Sequence, residues 1–491
     1  MCGVVGIFGK KEIRASLELY DSLIALQHRG QDSAGIITYN EGFHLHKDLG
    51  LVCNVFNEQS LFRLKGNIGI GHVRYSTVGD GTAGDAQPFL VNSPYGIAVA
   101  HNGNITNFSE LKKELAEKDL RQTNSDCDAE IILNVFASAL VKQKEKDFKN
   151  QIFKAVAEVH QRVQGSYSVV AVIAGKGMVA FRDPRGIKPL VMGRRGKEYI
   201  FASENVMFSM LNFKYQGDVQ PGECIFIDAD QKMHQKIITS KPHCPCIFEY
   251  VYFARPDALI DNISVYKSRL RMGNKLAARL KPLLKKLKID VVIPAPSTSN
   301  TAALTLAYDL GVKYREGLIK NHFIGRTFIM QNQEVRKKSV KYKLSPVELE
   351  IKDRNVLLLD DSIVRGNTSK EIVKLLKDAG ARKVYFAVCS PPIKFPCVYG
   401  IDMPTRQELI AYNKETIAEI QQEVGADFLI YQELDDLIEA VHEGNPEVKE
   451  YCTACFSGKY PTDISPEELL KLEEERLAIR KKQKEQLKIF K

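Results

Sequence analysis

The order of the predicted helices and strands changes near residue 265, and this change constrains the fold more than any other feature. Before about residue 240, short β-rich runs separated by turns follow one another: CGVVGIFG, AGIITYN, NIGIGHVRYST, YGIAVAHNGN, SYSVVAVIAG, GMVAFRD, YIFASEN and ECIFIDA. Helical patterns are few there, and they lie at about 13–28, 108–118, 128–142 and 151–164. Many strands with few helices predict a layered α+β domain.

After residue 265, helical and strand patterns alternate instead. In chain order they are helix 266–287, strand DVVIPAP, helix 300–309, strand NVLLLDD, helix 368–379 and strand KVYFAV. A series of this kind predicts a parallel sheet with crossover helices. The 491 residues exceed one ordinary core, which agrees with more than one domain. We predict domains at 2–235 and 250–460, and a charged helical tail at 461–491 that lies on the surface or between subunits.

Composition excludes several classes of protein. The net charge of +9 is spread along the chain apart from the 334–343 stretch and the last twenty residues, and no nucleic-acid-binding signature accompanies it. No apolar run reaches the roughly eighteen residues of a membrane helix, and the apolar residues 4–8 form a strand rather than a signal peptide. Ten cysteines without a secretory signal indicate a reducing compartment. We therefore expect a cytoplasmic protein that binds neither nucleic acid nor membrane.

Cys2 is the first candidate catalytic residue. If Met1 is removed, Cys2 carries a thiol and a free α-amine, whose ordinary pKa of about 7.7–8.0 allows it to accept the thiol proton near neutral pH. One residue then supplies both nucleophile and base. Alone, Cys2 is weak evidence, since a small residue at a strand start is common.

Four further polar positions could complete a pocket around Cys2. Asn102 and Gly103, at a strand-to-turn junction, could donate hydrogen bonds to a tetrahedral oxyanion. Arg74 could bind a carboxylate through two hydrogen bonds, although a lone strand arginine is more often simply exposed. Asp128 could pair with an ammonium group, although an acid at a helix start is also common.

Several stretches in this half resemble the class II glutamine amidotransferases, which have an Ntn-hydrolase (αββα) fold. They are MCGVVGIFG, QHRGQDSAG, GHVRYST, HNGNITN, GSYS and RDPRGIKPL. The resemblance implies that Cys2 attacks the side-chain amide of glutamine and releases ammonia. It also implies that Arg74 binds the glutamine carboxylate, Asp128 its amine, and Asn102 with Gly103 the oxyanion. Family members often read S-D-[ST]-E where this chain has SDCDAE, so Asp126 is a lesser alternative to Asp128.

The run NVLLLDDSIVRGNTSKE (355–371) predicts a phosphate site. It combines a buried strand, two carboxylates, a short loop and a helix start, so the backbone N–H groups of 365–368 converge and suit a phosphate monoester. Asp360 and Asp361 then lie where ribose hydroxyls or Mg²⁺ would be. A generic turn with two acids is the alternative, but the string DDSIVRGNTSK is too specific for it.

This run resembles the phosphoribosyl pyrophosphate signature of type I phosphoribosyltransferases. The resemblance implies a binding loop made by Asp360, Asp361, Ser362, Ile363, Val364, Arg365, Gly366, Asn367 and Thr368. The stretch VVIPAPSTSN resembles that family's pyrophosphate and magnesium site, which implies Thr298 as a Mg²⁺ ligand with the two aspartates. Ser297 and Asn367 depart from the usual acid and threonine.

Two other stretches match the amidophosphoribosyltransferase subfamily: EYVYFARPDA (249–258) and GRTFIMQNQEVRKKSVKYKL (325–344). The second is long and basic, and its Arg326 and Lys338 suit a loop that closes over pyrophosphate. The subfamily implies purine biosynthesis, feedback by purine nucleotides and a homotetramer. A hexosamine or asparagine synthase would lack the loop at 358–370, and a mere sensor of phosphoribosyl pyrophosphate would not need the glutaminase residues.

The late cysteines form the last candidate site. Cys452 and Cys455 form a C-x-x-C pair, which alone indicates zinc, a redox pair or nothing. Iron–sulfur members of the resembling family have cysteine at these two positions and at those of Cys246 and Cys397, which favours a [4Fe–4S] cluster over zinc or free thiols. Cys244 is an alternative ligand.

Overall fold

The computed structural model describes residues 2–75, 82–321, 343–462, 464–474, 477 and 478. Two antiparallel sheets occupy the first half of the chain. Their strands are β1 Gly3–Phe8, β2 Ser33–Asn40, β3 Gly42–Leu49, β4 Ile68–Arg74, β5 Phe89–Val91, β6 Ile97–Ile105, β7 Gly165–Ile173, β8 Gly177–Arg182, β9 Val191–Arg195, β10 Glu198–Ala202, β11 Lys214–Asp218, β12 Glu223–Asp228 and β13 Met233–Ile237. The first sheet has the order β11-β9-β10-β1-β4-β2-β3, and the second has the order β13-β12-β8-β7-β6-β5.

The two sheets pack face to face between helices. These helices are α1 Ala15–Ala25, α2 Val52–Val55, α3 Glu58–Arg63, α4 Phe108–Glu117, α5 Asp128–Val141 and α6 Phe148–Arg162, with a 3-10 turn at Ala83–Asp85. Val4 and Val170 meet in the core between the sheets, whereas Val5 faces Leu19 of α1. All six residues of β1 are buried because both faces of this central strand are covered. Helices α5 and α6 cover the outer face of the second sheet. The predicted αββα layering is confirmed.

The second half contains a five-stranded parallel sheet of order β17-β16-β20-β21-β22. The strands of this half are β14 Leu259–Ile260, β15 Ile263–Ser264, β16 Val291–Pro294, β17 Lys313–Tyr314, β18 Leu318–Lys320, β19 Leu344–Pro346, β20 Asn355–Asp360, β21 Lys383–Val388 and β22 Phe428–Tyr431. Its helices are α7 Val265–Leu280, α8 Leu284–Leu287, α9 Asn300–Leu310, α10 Glu348–Ile351, α11 Asn367–Asp378, α12 Ile410–Asn413, α13 Ile417–Val424, α14 Leu434–His442 and α15 Ala454–Ser457. Shorter turns lie at Glu249–Phe253 (π), Lys281–Leu283 (3-10) and Arg406–Glu408 (3-10).

Helices cover both faces of this parallel sheet. Leu357 and Leu359 of β20 pack toward α7, α9 and α14, whereas Val356 and Leu358 pack toward α11 and α13. The predicted α/β architecture is thus confirmed. Because all parallel strands point the same way, the loops after β16 and β20 meet at one edge of the sheet, where ligands bind in such folds.

Two details differ from the sequence-based expectation. The helix expected over 266–287 is not continuous: α7 ends at Leu280 and α8 begins at Leu284, because Pro282 lacks a backbone N–H and its ring clashes with the preceding turn. Strands β3, β5, β9, β11 and β13 of the first half, and β14, β15, β17, β18, β19 and β22 of the second, were not predicted. β3 is an exposed edge strand whose sequence, GFHLHKDL, lacks a continuous apolar run. In the described part of the chain, no helix is both long and apolar enough to cross a membrane.

Candidate active sites

Cys2 lies at the start of the central strand β1, and contacts on three sides hold its backbone and thiol. Its backbone N–H donates to Oδ1 of Asn102 at 3.4 Å, and its carbonyl oxygen accepts from Nε of Arg29 at 2.9 Å. Its thiol lies 3.8 Å from the carbonyl oxygen of Tyr75. Cys2 is partly exposed, so the sulfur is held in position and remains reachable by a small substrate.

Strand β6 brings Asn102 and Gly103 beside Cys2. Asn102 is 1% exposed, and its Nδ2 has no hydrogen-bond partner among the described residues. A buried N–H without a partner costs free energy, so a ligand oxygen at this position would be stabilised. Gly103 has a φ of 152°, and a Cβ there would lie 2.1 Å from the carbonyl oxygen of Ser166 on β7. Only glycine fits this close approach of the two strands.

Arg74 and Asp128 are both buried near Cys2. Arg74 ends β4 and lies 3.7 Å from Asp85, Nη1 to Oδ2. Burial alone would lower the pKa of Arg74, but neighbouring acidic groups that include Asp85 and Asp128 outweigh it and raise the pKa. Asp128 begins α5, and its Oδ2 accepts from the N–H of Ile105 at 3.3 Å. Two buried groups of opposite charge therefore border the nucleophile, as a zwitterionic substrate would require.

Asp126, the lesser candidate, has a different environment. Its side chain is about half exposed and pairs with Lys112 at 2.6 Å on the surface. It faces solvent rather than the pocket of Cys2.

The second constellation is the acid pair at the end of β20. The Oδ1 of Asp360 accepts from the N–H of Asp361 at 2.8 Å and from the hydroxyl of Ser299 at 3.4 Å. Burial, together with the neighbouring charge of Asp361, holds the pKa of Asp360 well above its usual range. Burial raises the pKa of Asp361 to about 6, although hydrogen bonds from Ser362 and Thr298 and the charge of Arg269 oppose the rise. Two adjacent carboxylates that resist ionisation indicate a site that a cation would stabilise.

The loop after the acid pair leads into the N-terminus of α11. Gly366 precedes the helix with a φ of 79°, and the first intrahelical hydrogen bond runs from Lys370 N–H to Gly366 O. The N–H groups of Asn367, Thr368 and Ser369 therefore have no intrahelical acceptor. Arg365 borders the loop and pairs with Glu408 at 3.1 Å. This arrangement matches the predicted phosphate cradle in its geometry.

A cleft of about 680 Å³ lies between the acid pair and residues of the first half. Its walls include Tyr75 and His28 from the first half, and Thr298, Asp360 and Asp361 from the second. Ser362, Val364, Arg365, Gly366, Asn367 and Thr368 also line it, whereas Ile363 is buried in the core behind the loop. The wall at Tyr75 lies next to the nucleophile, because the Tyr75 carbonyl oxygen is 3.8 Å from the thiol of Cys2.

Comparison with known proteins identifies the family. Residues 72–210 match the glutamine amidotransferase domain, and residues 261–421 match the phosphoribosyl transferase domain. The chain is 50% identical to the amidophosphoribosyltransferase of Pseudomonas aeruginosa, over 97% of this chain and 96% of that protein. It is 43% identical to the Saccharomyces cerevisiae amidophosphoribosyltransferase, over 98% of this chain and 96% of that one. The chain belongs to the amidophosphoribosyltransferase family.

A solved structure agrees with this membership. The glutamine phosphoribosylpyrophosphate amidotransferase of Bacillus subtilis, complexed with ADP and GMP, matches with a TM-score of 0.83 at 36% identity, covering 95% of this chain and 98% of that one. The amidophosphoribosyltransferase family aminates phosphoribosyl pyrophosphate with nitrogen from glutamine, the first committed step of purine biosynthesis. The chain is therefore a transferase of the purine pathway, and its family is consistent with Mg²⁺ for substrate binding.

In this family member, the four late cysteines are all buried at the junction of three segments. Cys246 and Cys452 form an isolated parallel β-bridge, and the carbonyl of Cys455 accepts N–H groups from residues 394 and 395, just before Cys397. Burial raises the pKa of Cys246 to about 11, and burial also holds the pKa of Cys455 well above its usual range. Within the described ranges, however, no group of three or more His, Cys, Asp or Glu side chains is arranged to hold a metal. The metal-binding prediction for these cysteines is not confirmed.

Two predicted substrate-binding residues of this amidophosphoribosyltransferase, Arg326 and Lys338, lie outside the described residues. Conversely, sequence reasoning missed Arg29, Glu204 and Glu249, which form a buried ion network behind Cys2. Arg29 lies in QHRGQDSAG and Glu249 in EYVYFARPDA. The signal that could have indicated them is a charged residue within each stretch that resembles the family.

Proposed function

We propose that this enzyme carries out its reaction at two sites joined by the cleft. Cys2, freed by removal of Met1, attacks the side-chain amide carbon of glutamine while its own α-amine accepts the thiol proton. The tetrahedral oxyanion is stabilised by Asn102 Nδ2 and the N–H of Gly103. On collapse of this intermediate, the α-ammonium of Cys2 gives its proton to the leaving nitrogen, the C–N bond breaks, and ammonia and a thioester form. Water then hydrolyses the thioester to glutamate and free Cys2.

The substrate's charged ends are assigned to Arg74 and Asp128. A guanidinium of raised pKa stays charged and can bind the α-carboxylate of glutamine, while Asp128 accepts from the α-ammonium. Asn102 supports this orientation, because its Oδ1 accepts from the Cys2 N–H while its Nδ2 has no partner among the described residues. Asp126 is not proposed because its carboxylate is bound on the surface by Lys112.

The second site is assigned to the loop after β20. Asn367 and Thr368, with Arg365, Gly366, Ser362, Ile363 and Val364 shaping the loop, bind the 5-phosphate of phosphoribosyl pyrophosphate through backbone N–H groups. Asp360, Asp361 and Thr298 suit Mg²⁺, because closely spaced buried carboxylates of raised pKa match the oxygen ligands that this cation prefers. Bound Mg²⁺ would neutralise charge on the departing pyrophosphate. Ammonia attacks the anomeric carbon, the C–O bond to pyrophosphate breaks, and 5-phosphoribosylamine forms.

The single observation that carries this assignment is the shared cleft, in which Tyr75 contacts the thiol of Cys2 and the opposite wall contains the acid pair. Once this cleft is closed to solvent, ammonia released at Cys2 can reach the second site without crossing bulk solvent. Proximity of this kind favours the productive attack, and a closed path protects the activated sugar from water. The basic loop with Arg326 and Lys338 is proposed to close the site.

An isotope competition tests the proposal. The enzyme is given glutamine labelled with ¹⁵N in the side-chain amide, together with unlabelled ammonium in excess, and the trapped phosphoribosylamine is analysed by mass spectrometry. We expect most of the product to carry ¹⁵N. A label fraction equal to that of the bulk ammonia pool would contradict transfer through the cleft.

We further propose a [4Fe–4S] cluster held by Cys246, Cys397, Cys452 and Cys455. The support is chemical: four buried sulfur ligands come from three segments, with Lys188 buried among them, where it would offset the negative charge of a thiolate-bound cluster. Cys244, which is also buried, stays the alternative ligand.

Other properties are proposed from the family resemblance. They are inhibition by purine nucleotides, a homotetrameric assembly and a cytoplasmic location, with units at 2–235 and 250–460 and a helical tail at 461–491. The B. subtilis relative complexed with ADP and GMP supports the first. Ten free cysteines agree with a reducing compartment.

A further inference from the structure

A buried ion network joins the carbonyl of Cys2 to the first residues of the second half. Arg29 donates from Nε to the Cys2 carbonyl at 2.9 Å, and from Nη1 and Nη2 to the two carboxylate oxygens of Glu249 at 3.1 and 3.0 Å. Nη1 also donates to Glu204, which accepts a further hydrogen bond from His28 at 2.8 Å. The side chains of Arg29, Glu204 and Glu249 are at most 2% exposed. The second half of the chain contributes the carboxylate of Glu249 to this network, and the backbone N–H of Arg255 adds a hydrogen bond to Glu204 at 3.1 Å.

Glu249 begins a π-helical turn, Glu249–Phe253, that Arg269 holds from the other side. Arg269, on α7, donates to the carbonyl oxygens of Tyr250, Tyr252 and Ala254 at 2.9, 3.1 and 2.8 Å. Tyr252 and Phe253 of the same turn line the cleft that contains Asp361 of the acid pair. The turn therefore contacts Arg29 through Glu249 and contacts Arg269 through its carbonyl oxygens.

Burial restrains the series of contacts that runs from the Cys2 carbonyl through Arg29 and Glu249 to the turn. Water cannot replace a partner in a dry network, so any displacement of the turn leaves a charge unpaired or moves Arg29 with it. Single-turn π-helices also occur often at functional positions.

We propose that Glu249 is a positioning residue for the glutaminase reaction: through Arg29 it fixes the Cys2 carbonyl, and through the turn held by Arg269 it links Cys2 to the acid pair. This inference rests on the proposed roles of Cys2, Asp360 and Asp361. In this proposal, Glu249 contacts neither glutamine nor phosphoribosyl pyrophosphate.

The test compares Glu249→Gln with a matched control, Asp261→Asn. Asp261 also forms a buried pair across the two halves, with Arg182 at 2.7 Å and side chains at most 3% exposed, but it has no contact with Cys2. Steady-state kinetics are measured with glutamine and with ammonia, and thermal unfolding reports loss of stability. For Glu249→Gln we expect kcat with glutamine to fall about tenfold while KM for glutamine and ammonia-dependent kcat change less than about twofold. For Asp261→Asn we expect the ratio of the two activities to stay at the wild-type value.

A double variant tests the route itself. Arg29→Lys keeps the positive charge but loses the pair of hydrogen bonds to the Glu249 carboxylate. The double variant Arg29→Lys/Glu249→Gln is therefore expected to have the same glutamine-dependent kcat as Arg29→Lys alone. The proposal would be overturned if the two substitutions lowered glutamine-dependent kcat multiplicatively in the double variant. It would also be overturned if Glu249→Gln lowered the glutamine-dependent and the ammonia-dependent activity equally. If Glu249→Gln does not fold, Glu249→Asp, which retains the charge, takes its place with the same expected pattern at smaller size. Cys2→Ala is assayed beside them: if it still uses glutamine, the proposed function itself fails, whatever Glu249 does.

Discussion

The two sites of this enzyme are prepared for different chemistry. The pocket of Cys2 is built between two antiparallel sheets, and it contains a buried cation, a buried acid and an amide N–H without a described partner. The acid pair instead faces an open cleft of about 680 Å³ with carboxylates whose pKa is raised. On the proposed assignment, the first site contains the groups for covalent catalysis, whereas the second needs a bound cation and a phosphate ligand. Substitutions at one site should therefore impair the reaction of that site and leave the reaction at the other site nearly unchanged.

Removal of the nucleophile gives the largest expected effect. Cys2→Ala should lower glutamine-dependent synthesis by roughly 10³-fold or more, because no other group forms the thioester. Ammonia-dependent synthesis should stay within about twofold of the wild type, since the cleft and acid pair are untouched. Both rates are measured by trapping phosphoribosylamine, with Cys53→Ala, at an exposed thiol, as the control. Residual glutamine use by Cys2→Ala would show that the two sites do not divide the chemistry in this way.

Removal of the acid pair should give the converse result. In the double variant Asp360→Asn/Asp361→Asn, synthesis from either nitrogen source should fall by about 10²-fold or more, because cation binding and charge neutralisation are lost. Glutamate release without phosphoribosyl pyrophosphate should survive. The matched control is Asp435→Asn/Asp436→Asn, an adjacent pair in the first turn of α14. A binding titration that gives unchanged affinity for phosphoribosyl pyrophosphate would refute the assignment.

The buried cluster of Cys246, Cys397, Cys452 and Cys455 is a third region to compare with the two sites. Anaerobically purified protein should be brown, with iron and acid-labile sulfide near about four each per chain. Cys455→Ser should lower both contents and give poorly soluble protein, because a cluster that binds only the folded chain adds to stability. Cys53→Ser should change neither content. Stoichiometric zinc without labile sulfide would indicate a zinc site instead, and active metal-free protein would exclude both.

Sequence reasoning predicted the secondary structure of local segments. The strand and the helix start between 355 and 371 could be predicted because they are contiguous in sequence. The start of α5 at Asp128 could be predicted for the same reason. The pair of Arg29 and Glu249 could not, since 220 positions separate the partners and each is an ordinary charged residue until the fold buries it. Helix 266–287 was wrong because a periodic apolar pattern continued through Pro282.

The smallest effect expected is a pH dependence that only the acid pair should have. In the folded protein without ligand, burial raises the pKa of Asp361 to about 6, and the pKa of Asp360 lies well above its usual range. The pair therefore still holds a proton as pH falls to about 6. A cation that binds both carboxylates must displace that proton, so affinity should fall as pH falls.

Isothermal titration with Mg²⁺ and phosphoribosyl pyrophosphate measures this directly. The dissociation constant should rise as pH falls through about 6, by up to about tenfold for each pH unit where one proton competes with the cation. Titrations at pH 6 in buffers of different ionisation enthalpy should show net proton release. The KM for glutamine should not follow this slope, because Arg74 stays charged throughout the range. A flat affinity between pH 5 and 7, without proton release, would mean that the acid pair is already ionised and that the two sites differ less in charge than their burial indicates.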